Sequence, residues 1–216
     1  MMKDPPAPNV ESAVGDESQP GDHDLLHRTS LGDRDAFAEL VRRHQQRAVA
    51  LAQRFLGRAD AAEDVAQDAF IRVFQSASSY TPQAKFTTWL YRIVANLCWD
   101  ARRRRARNDR TPPVASYIES ASGDLLERRE TAAAVRNAIA ELPDRQRLVV
   151  ILHRFDGLGH EEIAEITGWS RSAVESCLVR AYAQLRITLA PLSDSPGSES
   201  SAGRPDVNRS TSEDSP

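Results

Sequence analysis

Between residues 36 and 189, apolar side chains recur at three- and four-residue spacing in one segment after another. That period belongs to the α-helix, so each segment is held to a helix with one buried stripe. Ala36 to Phe55 carries Phe37, Leu40, Val41, Ala48, Leu51, Ala52 and Phe55 on the stripe, and Gly57 ends it. Asp60 to Phe74 repeats the pattern with Ala62, Val65, Ala66, Ala69, Phe70 and Val73. Ser76 to Ala84 reads as a turn-rich loop containing Pro82. Phe86 to Arg105 follows, with Trp89, Ile93 and Leu97 at four-residue spacing and Leu90 and Val94 beside them. After a break the pattern resumes in Glu130 to Glu141 and in Asp144 to Phe155, whose core face is Leu148, Val149, Ile151 and Leu152. Glu161 to Thr167 is a short helix, Gly168-Trp169-Ser170 a tight turn, and a last helix runs to about Leu189. Ser170 suits the N-cap of that helix, and Ser172 with Glu175 offers an alternative capping box. With 6% aromatic and 27% charged residues, small helical modules are favoured over one large sheet.

The expected architecture is all-α: two small helical domains, residues 24–107 and 125–190, joined by a flexible linker at 108–124. Thr111, Pro112 and Pro113 open that irregular stretch, which runs to about Ser122. Residues 1–23 and 191–216 read as disordered; in the latter, Ser, Pro and Gly fill 14 of 26 positions. Neither end has the apolar surface to offset chain entropy. The longest apolar run, Leu148 to Leu152, falls far short of the ~20 residues that span a bilayer. The N-terminus is acidic and Pro-rich, unlike a signal peptide. Cys98 and Cys177 form no CxxC or Cys/His cluster, which argues against a disulfide framework and a zinc site and suits a cytoplasmic protein. The His residues at 23, 27, 44, 153 and 160 lack metal-ligand spacing, and no nucleophile or phosphate loop is identifiable. Hence no catalytic residue, metal, cofactor or small-molecule substrate is expected.

The formal net charge of -3 conceals a strong asymmetry. Residues 25–107 carry 15 bases and 8 acids, whereas residues 1–24 carry one base and six acids. A basic block between acidic flanks suits a polyanionic partner, although a solvated helix face balanced elsewhere would give the same count. Arg supplies 26 of the 28 bases. Its planar guanidinium grips phosphate in a bidentate way that Lys cannot, which matters where Arg residues cluster.

Three features point to binding. Glu161 to Arg186 reads as a helix-turn-helix, with Ala164 small enough for close approach and Val174, Leu178 and Leu185 facing inward. Arg171, Ser172, Glu175, Ser176, Val179 and Arg180 then lie on the face that could enter a major groove. The helix from Phe86 ends in Arg102, Arg103, Arg104, Arg105 and Arg107. Phe86, Trp89, Tyr91 and Trp99 on the same helix could form a stacking platform beside that strip. Asn96 and Asp100, one turn apart, lead a polar stripe into it. Last, Asp64, Gln67, Asp68 and Arg72 form a polar face over the stripe of the second helix, which fits a docking surface or plain solvation alike.

In this order the motifs resemble the extracytoplasmic-function (ECF) sigma factors, the small two-domain class of bacterial RNA polymerase sigma subunits. The resemblance rests on Ala61-Ala62-Glu63-Asp64-Val65-Ala66-Gln67-Asp68-Ala69-Phe70, on Phe86-Thr87-Thr88-Trp89-Leu90-Tyr91-Arg92-Ile93 through Asn96 and Asp100 to the Arg run, and on Leu142-Pro143 through Gly157-Leu158, Glu161-Glu162-Ile163-Ala164 and Gly168 to Ala173-Val174-Glu175-Ser176. It implies that residues 24–107 bind core RNA polymerase through Asp64, Gln67, Asp68 and Phe70. The same domain would read and melt the -10 promoter element through Phe86, Asn96, Asp100, Arg103 and Arg104. The loop Ser76 to Lys85 would capture a flipped base. Residues 125–190 would read the -35 element through Arg171, Ser172, Glu175, Ser176, Val179 and Arg180. An anti-sigma factor is the implied regulator. The chain departs from the family at Glu175, Cys177 and Tyr182, where basic residues are common. The alternative reading is a stand-alone helix-turn-helix regulator, which would leave residues 24–107 unexplained.

Overall fold

The computed structural model describes residues 20–80, 85–108 and 124–193. Eight α-helices run in order among them: α1 (Asp22–Ser30), α2 (Arg34–Leu56), α3 (Ala59–Ser76), α4 (Phe86–Asn108), α5 (Asp124–Glu141), α6 (Asp144–Arg154), α7 (His160–Thr167) and α8 (Arg171–Ser193). A single 3-10 turn, Ala77–Ser79, follows α3. The all-α expectation holds. The linker and the termini expected to be disordered lie largely outside the described residues.

Two boundaries differ from expectation. The helical chain starts at Asp22, inside the segment read as disordered, because Asp22 is anchored: its Oδ2 lies 2.8 Å from His44 Nε2 and its Oδ1 3.4 Å from Arg43. Leu25 and Leu26 then bury fully against α2. At the other end α8 passes through Pro191 to Ser193. Proline lacks the N–H that would bond the Ile187 carbonyl, and Ile187 is exposed, so water can take that place.

Helices α1 to α4 form one packed group. Asp33 caps α2, its Oδ1 accepting the amides of Asp35 and Ala36, both at 3.0 Å. Its Oδ2 accepts from Arg28 at 2.7 Å, which ties the cap back to α1. Gly57 stops α2 in the left-handed region at φ 72, where a Cβ would be strained. All six stripe residues read from α3 are buried. Three of them are alanines (62, 66 and 69), which let α2 and α3 pack closely.

Helices α5 to α8 form the second group, centred on α6. Every residue from Arg147 to Leu152 is buried. One stripe was expected there, but the helix is covered on all sides, as an apolar run around a full turn requires. Its neighbours are α5, α7 and α8 and, from the first group, α2. Helix α7 packs on α4 in the same way. One continuous core therefore runs through both groups.

Candidate nucleic-acid and partner interfaces

The first surface is a groove between α2 and α3 of about 860 Å³. Phe37, Val41 and Val49 line one wall, and Asp64, Gln67, Phe70, Ile71 and Phe74 the other. Asp64 and Gln67 are exposed at the rim, while the Phe70 ring is largely buried in the wall. Asp68 is exposed but does not line the groove. Ile71 and Phe74, 47% and 44% exposed, extend the apolar strip, and Phe74 meets Phe37 edge-on at 5.0 Å. The sequence reading missed both. Their signal was available: two large apolar residues lying off the buried stripe of an amphipathic helix.

The second surface is the exposed face of α4. Asn96, Arg103 and Arg104 point to solvent, and Asp100 forms an ion pair with Arg103. The expected stacking platform does not exist in this arrangement. Phe86, read as a contact to the -10 element, is only 2% exposed and packs against His44 at 5.0 Å, so here it lies in the core and not on the exposed face of α4. Tyr91 is likewise buried, and burial followed by the nearby Asp156 charge pushes its phenol up to about 12. Trp89 is half-buried between Phe86 and Tyr80. Trp99 stacks on Trp169 of the second group at 5.9 Å. These rings fall at helical spacing toward the interior, where apolar area is worth most. Of the basic run, Arg102 turns away from the exposed strip to pair with Asp144 at 2.6 Å. Of the loop Ser76 to Lys85, residues 81–84 lie outside the described residues. Tyr80 is tilted against His23 of α1 at 5.8 Å.

The third surface is the helix-turn-helix formed by α7 and α8. Gly168 holds the turn at φ 72, and Ser170 Oγ accepts the Ala173 amide at 3.2 Å, so Ser170 is the cap that forms. Val174, Leu178 and Leu185 are buried as expected. Arg171, Ser172, Ser176, Val179 and Arg180 are exposed, Val179 to 70%. Glu175 is engaged on both sides: Arg171 Nε donates at 2.9 Å and His160 Nδ1 lies at 3.3 Å. Hydrogen bonding from Arg171, then His160, holds its carboxyl below the usual range. Arg171 also reaches Glu161 at 2.8 Å, so its charge is shared between two carboxylates.

Across the two groups runs a set of contacts that no local pattern announced. Lys85 Nζ pairs with Glu162 at 2.9 Å, and the Arg54 guanidinium lies 4.8 Å over the Phe155 ring. Within the second group, Arg145 covers at 5.0 Å the Trp169 ring, which Trp99 meets from the other group. Arg147 is 3% exposed and donates to the carbonyls of Phe55 at 3.1 Å, Ile139 at 3.2 Å, Leu142 at 3.0 Å and Ala140. Burial, reinforced by the charge of Arg102, pulls its guanidinium down to about 10. Tyr91 donates to Asp156 at 3.5 Å, whose Oδ2 has no hydrogen-bond partner among the described residues. Burial pushes that carboxyl up, against the pull of Arg54 and Arg47.

Comparison with known proteins gives consistent matches. Residues 40–108 match the Sigma-70 region 2 family and residues 132–185 the Sigma-70, region 4 family. The chain is 34% identical over 188 residues to the RNA polymerase sigma-H factor of Pseudomonas aeruginosa, covering 81% of this chain and 97% of that protein. It is 33% identical over 179 residues to the ECF RNA polymerase sigma factor SigW of Bacillus subtilis, covering 77% and 96%. Among solved structures it resembles CnrH in complex with the cytosolic domain of CnrY, with a TM-score of 0.61 and 30% identity over 81% of this chain and 99% of that one.

Proposed function

The chain belongs to the ECF sigma factors, which direct core RNA polymerase to promoters, and we propose the following division of that task among its residues. The region 2-like group, α1 to α4, docks on the polymerase through the α2/α3 groove, with Asp64, Gln67 and Phe70 at its wall and rim and Asp68 beside it. An apolar groove with an acidic rim suits a partner helix of complementary shape and basic flanks. Asn96, Asp100, Arg103 and Arg104 face the -10 element: Arg contacts phosphates and the polar stripe addresses bases. The region 4-like group, α5 to α8, reads the -35 element through Arg171, Ser172, Glu175, Ser176, Val179 and Arg180. The chain itself supplies no bond chemistry; the polymerase forms the phosphodiester bonds. No described helix is long and apolar enough to cross a membrane, and a factor that meets polymerase on the chromosome works in the cytoplasm. CnrH is bound by the cytosolic domain of CnrY, and by that likeness an anti-sigma partner holds this chain in check.

The observation that carries this reading is the coexistence, on one chain, of an apolar groove between α2 and α3 and two separate exposed helix faces that carry arginines. It is tested by run-off transcription on a promoter library with core polymerase, with and without the protein, beside a gel shift of the protein alone. Polymerase-dependent initiation from a defined subset supports it; tight duplex binding without polymerase, and no initiation, would favour the stand-alone regulator. Glu175→Arg frees Arg171 and His160 from their shared acceptor and removes the group able to accept from cytosine N4. It should change the enriched -35 sequence, and an unchanged enrichment would remove Glu175 from the reading face.

A further inference from the structure

We infer that His160 is a positioning residue for promoter reading: it fixes the Glu175 carboxylate so that one defined oxygen, Oε2, meets the DNA and selects cytosine. The inference rests on the -35 reading proposed above and deepens it by assigning the base and the residue that aims the reader.

Two side chains converge on a single oxygen of Glu175 from different helices. Arg171, one turn earlier on α8, donates from Nε to Oε1 at 2.9 Å. His160, the first residue of α7, lies with Nδ1 3.3 Å from the same Oε1. A carboxylate only accepts, so this contact forms with the hydrogen on His160 Nδ1. The His160 ring is itself backed from α6. Its centroid is 5.6 Å from that of His153, whose Nδ1 lies 3.0 Å from the Tyr182 hydroxyl. The Glu175 side chain is 43% exposed, and no hydrogen bond among the described residues reaches its Oε2.

This arrangement decides which base each group can address. Arg171 has Nε on Glu175 and Nη1 on Glu161, the latter at 2.8 Å. A guanidinium grips guanine O6 and N7 with two neighbouring donors, and each two-donor edge of Arg171 already has one member engaged. Guanine is therefore not read by Arg171. Glu175 presents Oε2, an acceptor that carries negative charge. In the major groove cytosine presents the N4 amino donor. Adenine sets its donor beside N7, an acceptor that repels a carboxylate, and guanine and thymine present acceptors. Cytosine is the base that fits. Because the carboxylate is held before DNA arrives, little rotamer freedom is lost on contact.

Glu175→Gln makes the pinning visible. Two donors require an oxygen, so the amide oxygen takes the place of Oε1 and the amide nitrogen that of Oε2. The reading atom changes from acceptor to donor, and the preferred base from cytosine to guanine or thymine. A Gln that was not pinned would turn either way and read adenine through N6 and N7.

The test is run-off transcription on a library randomised across the -35 element, using holoenzyme assembled from core polymerase and the full chain. It is paired with nitrogen NMR spectra of the free chain at about pH 8. One position should favour cytosine with the parent chain and guanine or thymine with Glu175→Gln. His160→Phe keeps a ring against His153 but has no donor, and should weaken the cytosine preference at least about fivefold. His160→Asn carries an amide nitrogen at the place of Nδ1 and should restore it, a rescue that a merely structural role would not give. In the free chain the His160 hydrogen should sit on Nδ1. The inference is overturned by a cytosine preference unchanged in His160→Phe, by equal loss in His160→Asn, by a shift to adenine in Glu175→Gln, or by a bare Nδ1. Failure of the parent holoenzyme to initiate, or to select any -35 base, would count against the -35 reading instead, and the spectrum would still decide whether His160 holds Glu175.

Discussion

Replacing Arg147 with Met should destabilise the whole molecule by about 3 kcal/mol. The side chain keeps its approximate volume in the change, so packing is the minor part. What is lost is a guanidinium donating to four carbonyls: Phe55, Ile139, Ala140 and Leu142. Phe55, Ile139 and Ala140 lie at the ends of α2 and α5 and Leu142 follows α5 directly, where carbonyls lack an intrahelical donor; the Ile139 carbonyl also accepts the Leu142 amide at 3.2 Å. Losing the donor costs about 1–2 kcal/mol at each of Phe55, Ala140 and Leu142 and about 1 kcal/mol at Ile139, which keeps one donor, or about 4–7 kcal/mol together. Against this stands the relief of a buried charge. The fall of the Arg147 pKa from 12.5 to about 10 is, at about 1.4 kcal/mol per pKa unit, a cost of about 3 kcal/mol to the charged form. The difference is about 1–4 kcal/mol, which centres near 3 kcal/mol. Urea unfolding followed by circular dichroism at pH 7 measures it, and a thermal scan should show a fall of about 6–12 °C for a chain of this size. Arg147→Lys is the informative companion. It keeps the charge but not the planar fork, so it should recover less than half of the loss. A Met variant within about 0.5 kcal/mol of the parent, or a fully neutral Lys variant, would falsify the claim that this guanidinium ties the two helix ends together.

Two further outcomes follow from single side chains. Asp33→Ala removes the acceptor for the Asp35 and Ala36 amides and the link to Arg28. It should lower the urea midpoint in the same unfolding assay, while Asp33→Asn should lower it less, since Asn still caps. Asp156→Asn should stabilise the protein at pH 7 by about 1 kcal/mol, because the carboxyl is raised by burial and its charged form is the costly one. The sign fixes the pH dependence: the folded state holds the proton more tightly, so the cost of Asp156 is full above its folded pKa and gone below the unfolded value near 3.8. The advantage of Asn should therefore shrink as pH falls through the carboxylate range, and an advantage independent of pH would refute the assignment.

The helices were readable because their cause is local. A buried stripe needs one apolar residue every three or four positions, and α2, α3 and α4 show that spacing within their own residues. The turn Gly168-Trp169-Ser170 was readable for the same reason, since one residue must take a positive φ and the next but one must cap. Chemistry-bearing faces could be placed once the stripes were known, so Asn96, Arg103, Arg171 and Arg180 are on the solvent side as read. The errors share one origin. Phe86, Tyr91 and Trp99 carry no local mark that distinguishes a ring offered to a base from a ring packed on a neighbour more than 40 residues away. The spacing of α6 showed an apolar run but not that α2 would cover its far side. Arg147 gave no sign that its four acceptors would include a carbonyl 92 positions earlier. Sequence periodicity thus settles which residues turn inward on each helix. Which helices then meet depends on contacts between positions far apart in the chain, and only the folded arrangement reveals that α4 packs on α7 and α2 on α6.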